Sequence, residues 1–351
     1  MIRAMSDRLL QTFCAMAALS LTIASPRAET MDQLYEKAKL EKTLVFYSGG
    51  PAAPHENRAK AFMEKYPGIT VSVTGGFSNV LNEQIEKQMA ERKLAVDMAF
   101  FQTVQDFVAW KKQGKLLAFK PDGFDQIMPN FRDDEGTYMA LSANALTYAY
   151  NTSKVRPEDA PRSAEDFLKP MFAGKVITVY PADDDAALYL FHLIVQKYGW
   201  GWMDRYMASK PNFIQGHLPV ARSVASGESI ATFDASSSVW PFKREGKLEI
   251  VWSGIDETPV FTLTGGIFKD APHPNAAKLY LSWFLAKEQQ SRVGSFSSRL
   301  DVPPPEGLQP LTSYKIANNY REFMTDDKLI ADLRKRFEGY TGPPVNKGGV
   351  R

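Results

Sequence analysis

Three short apolar runs, each followed by an amphipathic stretch, constrain this chain more than any other feature. "KTLVFYSGG" carries a β-branched and aromatic run from Thr43 to Tyr47 that ends in Ser48-Gly49-Gly50. "PHENRAKAFMEKYPG" has helical spacing and stops at Pro67-Gly68. "ITVSVTGG" reads as the next strand. "SNVLNEQIEKQMAERK" reads as a helix entered at Ser78 or Asn79, with Val80, Leu81, Ile85 and Met89 on one side. "VDMAFF" reads as a buried strand and "VQDFVAWKKQG" as a helix closed by Gly114. Strands separated by helices pair in parallel, because the intervening helix carries the chain back across the sheet. The order predicts an α/β fold with a mainly parallel sheet covered on both faces.

A second cycle begins after "LTYAYNTSKV", Leu146 to Val155. It contains "GKVITVYP", a helix headed by Asp183-Asp184-Asp185, "WGWMDRYMAS", the short helix "LPVARSVASG" and the strand "SIATFD". "KLEIVWS" and "VFTLTGGIF" add two strands, and "HPNAAKLYLSWFLAKEQQSRVG" reads as one long helix. The remainder to about Tyr340 is expected to be helical, and "TGPPVNKGGVR" a loose tail. No internal repeat or low-complexity linker interrupts the pattern.

The first residues follow a different logic. Arg3 and Arg8 precede "LLQTFCAMAALSLTIA", an uncharged run from Leu9 to Ala24, and small residues follow in "SPRAET". That is the layout of a secretory signal peptide, here placed at residues 1–28, with a cut after Ala24 as the alternative. The run is shorter than the roughly 20 residues a membrane span needs. Removing it takes away Arg3, Arg8, Arg27 and Asp7 from 42 basic and 40 acidic residues, leaving a mature chain without net formal charge. Nothing then recommends nucleic acid as a partner. Cys14, the single cysteine, leaves with the leader, so no disulfide, thiolate nucleophile or Cys metal ligand is expected.

In open α/β sheets ligands bind beyond the carboxyl ends of the strands. The predicted strand ends share a chemistry of small and short polar residues. They are Ser48-Gly49-Gly50, Gly75-Gly76-Phe77-Ser78-Asn79, Phe101-Gln102-Thr103, Asp183-Asp184-Asp185 and Asp234-Ala235-Ser236-Ser237-Ser238. Glycine and serine also make turns, but five such corners together point to a ligand cleft. Three acids in a row exceed what a helix cap requires. Either one caps and the others face water, or at least one faces a solute. Phe77, Phe101 and Trp240 would supply flat apolar faces for sugar CH groups or a cation. His217 is the histidine placed at the cleft; His192 reads as packing, His273 as part of a surface turn, and Arg222 as solvent-facing. Four scattered histidines give no zinc spacing, and there is no G-x-S-x-G elbow. No metal, cofactor or catalytic residue is expected.

The order of these motifs resembles the periplasmic solute-binding proteins of ABC importers, in the extracellular family 1 group that includes ferric-binding proteins. The markers are "LVFYSGG" with "AFMEKYPGITV", "VDMAFFQ", "LTYAYNTSKV", "VARSVASGE" with "IATFDASSSVW", and "GGIFKDAPHPNAAKLYLSWFLAKEQQ". The resemblance implies a type II two-lobed fold with the ligand cleft between lobes joined by two crossover strands. Lobe 1 would span 29–147 with 258–290 returning to it, and lobe 2 148–257 with helices of 291–340 packed on it. Residues 341–351 would form the tail. It also implies a small-molecule solute, a cognate membrane permease, a monomer and a periplasmic location.

Ferric-binding members hold iron with a His after the first strand, a Glu after the third and a Tyr pair before a Trp. Those positions fall near Pro51, on Gln102, and on Ser238 and Val239 ahead of Trp240. Hard ferric iron favours anionic oxygen, which this set lacks. The companion-anion loop of those members falls on Asp183-Asp184-Asp185, and its two Asn partners on His217 and Ser236. Carboxylates invert the sign of such a loop. The expected cargo is therefore a neutral or amine-bearing organic solute such as a sugar, polyol or amine. The alternatives are an organic anion or ferric iron in the same transport role, or a secreted enzyme on the same fold.

Overall fold

A computed structural model describes residues 29–345. The expected leader, Cys14 and the last six residues of the expected tail lie outside the described residues. Helix α1 (Met31–Glu41) opens on a capping box between Thr30 and Gln33. Strand β1 (Thr43–Gly49), α2 (Ala53–Lys65), β2 (Thr70–Gly76), α3 (Ser78–Ala90), β3 (Met98–Phe101), α4 (Val104–Lys112) and β4 (Met139–Ala145) follow. The predicted parallel pairing is present: β1 lies between β2 and β3 and is parallel to both.

The chain then leaves this sheet. Strand β5 (Thr147–Asn151) begins two residues after β4 ends. Next come β6 (Ile177–Val179), α5 (Asp185–Tyr198), α6 (Trp200–Ala208), β7 (Asn212–Ile214), α7 (His217–Ser226), β8 (Ala231–Ala235), α8 (Trp240–Arg244) and β9 (Leu248–Val251). Strand β5 pairs antiparallel with β8 and β9, β6 pairs parallel with β7, and a Val176–Ala231 bridge joins the two groups. Strand β10 (Thr258–Ile267) returns to the first sheet, antiparallel to β3 and β4. The chain thus crosses twice between two sheets, at Ala145–Thr147 and at 252–257.

The C-terminal third departs from the sequence reading in two ways. The long helix breaks at Ala286, which is extended (φ −58°, ψ 142°), into α9 (Pro274–Leu285) and α10 (Lys287–Gln290). Residues 291–319 are largely irregular, because Pro303, Pro304, Pro305 and Pro310 deny a helix its N–H groups. Strand β11 (Ile316–Ala317) pairs with β10, and Phe296 bridges Ala143 on β4, so this stretch lies on the first sheet rather than the second. Helices α11 (Tyr320–Met324) and α12 (Asp327–Thr341) complete the chain. Phe337 on α12 packs edge-on to Phe191 on α5, while Arg321 on α11 donates to the Arg132 carbonyl beside the first sheet. The C-terminus therefore touches both halves.

Candidate functional site

The ends of β1 and β2 approach the helix starts closely, and at Gly75 the neighbouring backbone leaves room only for glycine. A Cβ on Gly49 would stand 2.4 Å from Ser78 Oγ, and one on Gly75 would stand 2.4 Å from the Ala52 nitrogen. Gly50 adopts a left-handed conformation (φ 86°) and donates its N–H to the Gly76 carbonyl. These contacts bring Gly49, Gly50, Gly76, Phe77 and Ser78 together at one rim. Helix α3 enters at Phe77, whose side chain cannot cap it, so no side chain takes the first-turn N–H groups. Phe77 is 72% exposed, and Asn79 is exposed beside it.

Two expected residues at this rim do not face open space. Phe101 is fully buried and packs on Phe107 and Trp110 beneath α4, so it belongs to the core and offers no face to a solute. Ser48 is also fully buried. Gln102 is exposed at the end of β3. His55, near the family's iron-ligand position, is wedged against Phe46 and Phe100, and burial pushes its pKa down to about 4.

On the second half, each of the three acids has a distinct partner. Asp184 caps α5 by accepting the Ala187 N–H at 2.8 Å. Its Oδ1 also lies 3.5 Å from His217 Nε2, and His217 Nδ1 lies 3.2 Å from Oδ1 of Asp234. Asp234 is fully buried at the end of β8, where its other oxygen accepts the Val179 N–H at 2.8 Å. Burial disfavours charge on His217, but the two carboxylates outweigh it and hold its pKa well above the usual imidazole value. Burial raises Asp184, yet the His217 charge and the cap hydrogen bonds carry it below the usual carboxylate range. The imidazolium is therefore spent on two acids. Asp185 pairs with Arg334 on α12 and accepts Gln105 Nε2 at 2.9 Å. Asp183 is exposed and accepts Gln215 Nε2 at 2.8 Å.

Ser236, Ser237 and Trp240, at the turn from β8 into α8, line a pocket beside the crossovers. Ser238 turns away, donating to the His217 carbonyl at 3.1 Å and contacting Ser236 Oγ at 2.9 Å. The same pocket is lined by Asn144, Thr147, Trp252 and Phe296, none of which the sequence singled out. Trp252 stacks on Tyr314 at 3.8 Å and meets Phe296 edge-on at 5.7 Å. Its place just after a strand that ends at the crossover was the available signal.

A second missed residue is Asp256, in the returning crossover. It is 5% exposed and accepts from Tyr148 Oη at 2.6 Å, the Ala164 N–H at 2.6 Å, Tyr198 Oη at 2.5 Å and Lys197 Nζ at 2.5 Å. Burial opposes its charge, but Lys197 and the two phenols hold its pKa below the usual range. Among the described residues, no group of three or more His, Cys, Asp or Glu is placed to hold a metal ion.

Known proteins share this architecture. A Fe(3+)-binding periplasmic protein of Serratia marcescens is 21% identical over 272 residues, covering 73% of this chain and 77% of that protein. A putative 2-aminoethylphosphonate-binding periplasmic protein of Salmonella paratyphi A is 27% identical over 259 residues, covering 69% and 73%. Among solved structures, iron-bound HitA of Pseudomonas aeruginosa superposes with a TM-score of 0.71 at 19% identity, covering 84% of this chain and 99% of that one. The periplasmic binding protein AfuA of Actinobacillus pleuropneumoniae, with fructose-6-phosphate bound, gives 0.70 at 21% identity, covering 85% and 98%. The two-lobed α/β architecture expected from the sequence is thus the fold observed. The family model described as bacterial extracellular solute-binding protein matches residues 57–320, and the chain belongs to that family.

Proposed function

We propose that this protein is the periplasmic substrate-binding component of an ABC importer, and that it captures a small organic solute, neutral or amine-bearing, by closing its lobes about the two crossovers. It presents the loaded form to its permease as a monomer, and no catalytic step is assigned to it. The observation that carries the cargo class is the charge of the second wall. Its cation, His217, is held between Asp184 and Asp234, while Asp183 stays exposed. A wall with that balance attracts an ammonium or accepts hydroxyl donors. Trp240 and Trp252 add flat faces beside it. The likeness to a putative 2-aminoethylphosphonate-binding protein supports an amine on the solute.

An organic anion is the second reading, favoured by α3 and α7. Both helices begin with no side-chain cap and no acid in the first turn, which suits a phosphate or carboxylate. A solute carrying both charges satisfies both walls. Ferric iron is disfavoured by the donor set, since Gln102, Ser238 and Val239 offer no anionic oxygen.

A thermal-shift panel of sugars, polyols, amines, amino acids, phosphate esters and ferric citrate tests the reading, because a ligand of the folded state raises its melting point. Amine or polyol compounds are expected to give the shift. A shift confined to amine-free phosphates or carboxylates, or to ferric citrate, sinks it.

A further inference from the structure

Two helices at the cleft end of the first half carry an unfinished hydrogen-bond set. Asp106 on α4 accepts Thr103 Oγ1 at 2.5 Å and Asn82 Nδ2 at 2.8 Å. Gln105, beside it, sends its Nε2 across to Asp185 on α5 at 2.9 Å. These two contacts fix both amides, since each must give its N–H to a carboxylate. The amide oxygens that remain, Asn82 Oδ1 and Gln105 Oε1, are shielded from solvent and have no donor. A third orphan closes the cluster: Tyr320 on α11 is 4% exposed, its hydroxyl has no partner, and it lies in the field of Asp185 and Asp184.

We propose that Asn82, Gln105 and Asp106 form the seat for a primary ammonium of the bound solute, between the two lobes and opposite Asp185. This rests on the amine-bearing reading above and names the residues that would read the amine. An ammonium has three N–H donors and no acceptor, and the cluster offers a carboxylate and two donorless oxygens. A buried acceptor without a donor is costly, so the set is poised to take one. Water could satisfy the oxygens but would leave the repulsion among neighbouring acids. Burial first, then Asp185 and Glu86, push Asp106 up to about 6, against the hydrogen bonds from Thr103 and Asn82 that lower it, while Arg334 is paired with Asp185. A cation placed there relieves that repulsion and draws α4 toward α5.

The test is calorimetry with matched probes: ethanolamine against ethylene glycol, putrescine against 1,4-butanediol, and 2-aminoethylphosphonate against ethylphosphonate. At least one amine is expected to bind better than its amine-free partner. Asp106→Asn should cut that preference by about tenfold or more, as should Asn82→Leu, which leaves every charge in place. Ethanolamine or putrescine affinity should fall as pH drops through about 6, where Asp106 takes up its proton, and this dependence should vanish in Asp106→Asn. Amine preference unchanged in both variants overturns the seat and leaves the amine reading standing. Failure of all three amines to bind the wild type better than their partners overturns both.

Discussion

His217 shows why an isolated histidine cannot be assigned from sequence. Its place before a helix suggested the cleft, but its charge is fixed by Asp184 and by Asp234, which arrives from β8. Truncating it would leave two carboxylates facing one another in a buried corner. Removing one partner of a buried pair typically costs about 3–5 kcal/mol. We expect His217→Ala to lose about 3 kcal/mol in denaturant titration near neutral pH. The pH dependence has a definite sign. The folded pKa is raised, so the stabilisation is complete below the ordinary imidazole value of 6.5 and is lost as pH climbs toward the raised one. Wild type should therefore weaken in alkali by more than His217→Ala does, and equal slopes above neutrality would contradict the pairing. Of the three acids, the cap on α5 was legible in "PADDDAAL", because acids favour that position. That Asp185 pairs with Arg334 was not, since the partner comes from α12. Phe101 was misplaced for a related reason: all four residues of "MAFF" are buried, so no alternation marks which side faces the cleft. Asp106 gave no signal at all, being one acid in a helix whose first turn accepts acids freely.

The strands and helices that could be read were those with a complete pattern. Helix α3 shows its limits: Leu81 and Ile85 are buried as the spacing required, but Val80 is 44% exposed at the rim. Strands β7 and β11 have only three and two residues, too short for any period to declare itself. Strand β4, "MALSANA", is built largely of alanine and small polar residues, and only its pairing with β10 makes it a strand. The glycine-ended strands were legible, and their reason is steric. Gly75 has backbone atoms of Ala52 and Gly50 where a Cβ would go, at 2.4 and 2.7 Å. Backbone cannot rotate aside as a side chain can. Gly75→Ala should destabilise the protein by about 2 kcal/mol or more, through a shift of the start of α2 against β2. A loss in denaturant titration comparable to that of an exposed substitution would mean that the rim is looser than its contacts imply.

The two halves are joined by the crossovers and by contacts from the C-terminal helices. The first crossover is a two-residue step between strands; the second is held by Asp256, which gathers Tyr148, Tyr198, Lys197 and the Ala164 N–H around one carboxylate. Helices α11 and α12 reach both halves through Arg321 and Arg334. The parallel pairing of β1 with β2 and β3 and the alternation of strands with helices were legible because helix and strand periods differ; the antiparallel pairing of β5 with β8 and β9 was not. The straps were not, because tertiary contacts from a proline-interrupted tail leave no periodic trace. What remains is the cargo, and the charge balance of the cleft makes a commitment about it. The decisive measurement is native mass spectrometry of the protein freshly purified from its native host, followed by identification of the released solute. A small polyol or an amine-bearing compound is the predicted species. An amine-free phosphate ester or carboxylate, or bound iron, would contradict the proposal.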